Sequence, residues 1–163
     1  MSKRGLLDVC RFIVPASVLN PTLEALGMAG KEGYEAFVVW GGIREDEGST
    51  LRFKAAYKPR QNSYRTERGL FVQVEEEALF ELNKTFNDGG LILAGQAHSH
   101  PTDAYHSSTD DHLPLVTLLG GLSVVIPDFA LGGRSDLSRF SWFRLAAYDN
   151  WTEISEETKI EIE

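Results

Sequence analysis

Apolar and polar positions change period several times along the chain, and each period predicts an element. Residues 9–14, Val-Cys-Arg-Phe-Ile-Val, form a β-prone run that Pro15 stops. Leu19, Leu23 and Leu26 recur at helical spacing, which predicts a helix over 18–29. Ser17 is its expected N-cap, Pro21 falls in its opening turn, and Gly30 and Gly33 end it. Residues 35–40, Glu-Ala-Phe-Val-Val-Trp, read as a strand closed by Gly41-Gly42, and Asp46-Glu47-Gly48 as a turn. Residues 50–57 alternate, with Leu51, Phe53, Ala55 and Tyr57 on one face. Residues 58–68 read as a polar, basic loop, and 70–74 as a short strand. Ala78, Leu79, Leu82 and Phe86 mark a second helix with acidic residues in its first turn, ended by Asn87-Asp88-Gly89-Gly90.

The apolar run Gly90 to Gly95 predicts a strand leading into His98-Ser99-His100-Pro101. A turn at Ser108 follows. Pro114 then allows either a kinked helix or a short turn with a fresh helix behind it. Leu122 to Ile126 reads as a buried strand, Asp128 to Leu137 as a loop and Arg139 to Tyr148 as a late aromatic strand. This order implies an α/β sandwich on a mixed sheet. At 163 residues the expectation is one domain, 1–163, with its core over about 9–148 and an acidic C-terminal extension over 149–163.

Net charge is −8, from 16 basic and 24 acidic residues, which argues against nucleic acid as a partner. Arg60, Arg65 and Arg68 stand out in the basic loop as candidates for contact with a partner or substrate. Cys10 is the only cysteine, so neither an internal disulfide nor a cysteine zinc site is expected. No apolar run is long enough to span a membrane, and Met1 to Gly5 leads into no signal-peptide pattern, so the expected compartment is the cytoplasm.

The chemistry concentrates at His98 and His100. Residues two apart on a strand share a face. With the carboxylate of Asp111 they make a three-ligand set suited to Zn2+, leaving the fourth tetrahedral position for water, as in catalytic rather than structural sites. Each half also has an ordinary reading: polar residues at a strand end, and a Ser108 helix cap followed by acidic residues. Asp110 is an alternative ligand one residue earlier, and His106 and His112 flank the site in sequence.

The run His98-Ser99-His100-Pro101, then Ser108, then Asp111, resembles the JAMM motif of JAB/MPN-domain metalloenzymes with no gap or insertion. The resemblance spans roughly residues 9–127. It implies the JAB/MPN (cytidine deaminase-like) fold, a three-layer sandwich with a central mixed sheet between helices. It also implies a catalytic glutamate seven residues before a glycine, which Glu35 and Gly42 match; Val38 stands where the family often has glycine, and Glu32 is the rival. In this family pattern Glu35 is the general base and Ser108 donates to the oxyanion. The implied activity is zinc-dependent peptidase or isopeptidase cleavage after the C-terminal glycine of a ubiquitin-like protein, for deconjugation or precursor processing. The compact size is similar to that of stand-alone prokaryotic members that accompany E1-like and E2-like proteins, including in antiviral conjugation operons. A non-catalytic MPN scaffold and a RadC-like protein are the alternatives. The retained motif argues against the first, and the acidic charge against direct DNA binding by the second.

Overall fold

The computed structural model describes residues 5–67, 69–104, 115–147 and 150–163. Among these, the elements run β1 (Arg11–Val14), α1 (Ala16–Lys31), β2 (Phe37–Glu45), β3 (Thr50–Tyr57), β4 (Gln61–Thr66), β5 (Gly69–Val74), α2 (Glu76–Asp88), β6 (Ile92–Ser99), β7 (Leu122–Ile126), β8 (Ser141–Ala147), β9 (Asn150–Glu153) and β10 (Lys159–Ile162). Eight strands form one sheet in the order β10-β1-β3-β2-β6-β7-β8-β9, while β4 and β5 pair separately. The pairs β1–β10, β1–β3 and β6–β7 are parallel and the others antiparallel, so the sheet is mixed.

Alternation along β2 divides its side chains between the two faces. Val38 and Trp40 pack with Val18, Leu19, Leu23 and Leu26 of α1. Phe37 and Val39 pack with Leu82 and Phe86 of α2 and Val72 of β5. Each fully buried Leu, Val or Phe contributes about 1.5–3 kcal/mol, and this fixes a helix on each face of the sheet. No helix among the described residues is long and apolar enough to cross a membrane.

Several expectations change. α1 starts earlier than predicted: Pro15 occupies the cap position and its carbonyl accepts the Val18 and Leu19 N–H groups at 2.9 and 3.0 Å, so Ser17 lies inside the helix. Pro21 removes one helical donor, yet the helix continues. Gly41-Gly42 do not close β2. They form a bulge, and the strand runs on to Glu45. A Cβ at Gly42 would lie 2.6 Å from the Arg52 carbonyl oxygen, so only glycine permits this approach of β3. Residues 61–66, read as loop, are a strand. Residues 150–163, read as an extension, return to the sheet, where β10 lies beside β1.

Candidate metal centre

β6 lies between β2 and β7, and its C-terminal end carries His98 and His100, 0 % and 3 % exposed. Their parity puts them on the same sheet face as Gln96, the face that α2 and the β4–β5 hairpin cover. Phe37, directly opposite His98 in the β2–β6 ladder, stacks on its ring with centroids 4.7 Å apart. The two imidazoles converge: His98 Nε2 and His100 Nε2 are 3.1 Å apart. As neutral rings they can share one proton in an N–H···N bond, or both can turn bare nitrogens toward one cation. Zinc–nitrogen bonds of about 2.0–2.1 Å at the tetrahedral angle place two ligating nitrogens about 3.3 Å apart. The observed pair is within a few tenths of an ångström of that spacing, so the donor set fits a zinc ion.

The main chain of His100 is held from β7. Its N–H donates to the Ile126 carbonyl at 2.9 Å, and its carbonyl accepts the Phe129 N–H at 2.7 Å. The Thr102 carbonyl accepts the Asp128 N–H at 2.9 Å. Asp128, Phe129 and Ala130 all have positive φ, at 52°, 56° and 60°. A left-handed conformation costs a non-glycine residue about 1–2 kcal/mol, and such strain tends to persist beside functional groups. Here it supports the histidine-bearing turn.

Glu35 lies just before β2. The β2–β6 register pairs Phe37 with His98, and a bond from Ser99 N–H to the Ala36 carbonyl (3.3 Å) extends it. Glu35 is the residue before Ala36, just outside the paired ladder. Ser99 Oγ accepts the Ala36 N–H at 3.2 Å, locking this end of the ladder. The rival Glu32 is the exposed C-cap of α1.

Ser108, Asp111 and Arg68 lie outside the described residues, as do His106, Asp110 and His112. Among the described residues no group of three His, Cys, Asp or Glu side chains converges. The chain re-enters at Leu115, where Gln96 Oε1 accepts the N–H groups of Leu115 and Val116 at 3.2 and 3.1 Å. Arg60 forms an exposed ion pair with Glu81 at 3.7 Å. Arg65 donates to the carbonyls of Glu32 and Gly33 at 3.3 and 3.0 Å and lies over the Tyr34 ring.

Phe37, Gln96 and Ser99 support the site, and sequence reasoning assigned them no such role. Their signal was the parity shared by Gln96, His98 and His100, and the register that a short antiparallel β2–β6 pair imposes.

No protein-family model matches the chain. The solution structure of a protein from Desulfitobacterium hafniense superposes with a TM-score of 0.58 at 16% identity, covering 94% of this chain and 92% of that one, a likeness of fold. A curated protein of Sinorhizobium fredii, named "Probable metalloprotease y4jG", is 35% identical over 150 residues, which are 92% of this chain and 91% of that protein. Similarity of this extent, together with a buried histidine pair spaced for a metal, places the chain in that metalloprotease family.

Proposed function

We propose that the chain is a zinc peptidase of the JAB/MPN type that cleaves after the C-terminal glycine of a ubiquitin-like protein, in deconjugation or precursor processing. The observation that carries this reading is the facing pair of Nε2 atoms, 3.1 Å apart, at a buried strand end. His98, His100 and Asp111 would hold the ion. When bound, zinc supplies Lewis-acid polarisation and lowers the pKa of water to about 7.

The chain's own groups do the rest. Glu35 takes a proton from water and returns it to the leaving amine, a role that contributes on the order of 10²–10⁴-fold. Ser108 donates a hydrogen bond to the developing oxyanion, worth on the order of 10²–10³ in kcat. The substrate tail binds extended. β4–β5 is a two-stranded sheet that offers an edge for strand addition, with Arg60 and Arg65 on or beside β4, and Arg68 is a further candidate for contact with the tail. Small residues at the cleaved bond let water reach the carbonyl. Membership of a bacterial ubiquitin-like conjugation pathway with E1-like and E2-like partners, a cytoplasmic location and a single domain spanning 1–163 complete the proposal.

The test is a ubiquitin-like protein fused through its terminal glycine to a reporter, incubated with and without chelator. Chelator-sensitive cleavage at the glycine is expected. Cleavage that survives chelator, or that is unchanged when the terminal Gly is replaced by Val, would contradict the reading.

A further inference from the structure

β3 leaves the ladder of β2 at Tyr57, yet β4 continues antiparallel along the chain that precedes and starts β2. Side chains bridge the gap there in place of main-chain bonds. Gln61 makes a two-point contact with Phe37: its Oε1 accepts the N–H at 2.7 Å and its Nε2 donates to the carbonyl at 2.9 Å. Ser63 Oγ donates to the Glu35 carbonyl at 2.8 Å. Arg65 donates to the Gly33 carbonyl at 3.0 Å. Gly33 has φ of 80°, a left-handed conformation that glycine adopts without strain. The donors lie at every second residue of β4 and so on one face of it. Their partners lie at every second residue of 33–37, in antiparallel order. The amide of Gln61 reproduces what a neighbouring strand would offer the backbone.

We infer that β4 is a clamp whose polar side chains fix the main chain at Glu35, just before β2, with Ser63 a positioning residue for the Glu35 carboxylate. This rests on the reading of Glu35 as the base. Ser99 bonds Ala36 from the β6 side, so residues 35–37 are held from both edges. A carboxylate set on a strand end inherits the freedom of that end, and a displacement of about 1 Å can cost on the order of 10² in rate. The aliphatic residues of β5 pack on α2 through Val72 and leave the inward face of β4 free for this polar duty.

The experiment uses the zinc-loaded full chain and, as probe, an extended peptide ending in Gly-Gly linked to aminomethylcoumarin. Ser63→Ala is expected to lower kcat on the order of tenfold, with KM and zinc content unchanged. Ser63→Thr, which keeps the hydroxyl, should restore it. In a Glu35→Gln background Ser63→Ala should cost nothing further, because the group it positions is gone. An equal loss in both backgrounds, or no loss in Ser63→Ala, overturns the clamp while leaving Glu35 as base. Full turnover by Glu35→Gln instead removes the base reading. Hydrogen exchange of the Phe37 amide then decides the clamp alone: Gln61→Leu should speed it on the order of tenfold, and unchanged exchange overturns it.

Discussion

Phe37 lies against His98 with ring planes 26° apart, and both are buried. The stack covers one face of the imidazole whose Nε2 meets that of His100. Groups that orient a metal ligand typically govern 10–100-fold of metal affinity. Phe37→Leu, which keeps an apolar side chain but not the flat surface, should weaken zinc binding on the order of tenfold. Its cost in stability should be about 1–2 kcal/mol. Competition against a chromophoric chelator reads the first, and denaturant unfolding of the metal-free protein the second.

Glu35→Gln removes the acid–base function but preserves shape. Turnover should fall on the order of 10²–10⁴-fold, with zinc content and far-UV circular dichroism unchanged. Glu32→Gln, at the exposed cap of α1, should behave as wild type. The reverse pattern in steady-state assays would move the base to Glu32.

Trp40 is buried against α1, and its indole N–H donates to Thr22 Oγ1 at 2.8 Å, whose own proton goes to the Val18 carbonyl at 2.7 Å. Thr22→Val leaves that donor buried without its acceptor, at a cost of about 1–3 kcal/mol. At roughly 2–4 °C per kcal/mol for a chain of this size, Tm should drop by several degrees. Zinc binding should not change, because Trp40 lies on the sheet face opposite the histidines.

Arg11 and Glu161 join β1 to β10 through a two-point contact at 2.7 and 2.6 Å. The guanidinium hydrogen bond holds the Glu161 carboxyl below its ordinary value of 4.5. A carboxylate depressed in the folded state favours folding above the unfolded pKa, and the gain is lost as pH falls through the folded one. Amide exchange in 159–162 should therefore quicken as pH drops below about 4.5, once corrected for intrinsic rates, relative to a Glu161→Gln variant, in which that pH dependence disappears.

Much of the fold was legible because apolar side chains carried it: Leu51 and Phe53 announced β3, and Leu82 and Phe86 announced α2. β4 was not, because its inward face is Gln61, Ser63 and Arg65, bonding main chain instead of filling a core. Hydrophobic periodicity cannot register such a strand. β10 was missed for a related reason: Glu161 and Glu163 look like a solvated tail until Arg11 and Arg52 stand beside them. Gly41-Gly42 carried a break signal that the close approach of β3 turned into a bulge. At the site, the shared face of His98 and His100 followed from their spacing. The supports Phe37 and Ser99 depend on the register of β2 against β6, a long-range property that no local window contains.

Metal binding by the histidine pair is read from the metal content of the purified chain, set beside that of a His98→Ala, His100→Ala double variant. Near-stoichiometric zinc, one ion per chain, is expected in the wild type, with its loss from the folded double variant. Full zinc occupancy retained by the double variant would contradict it.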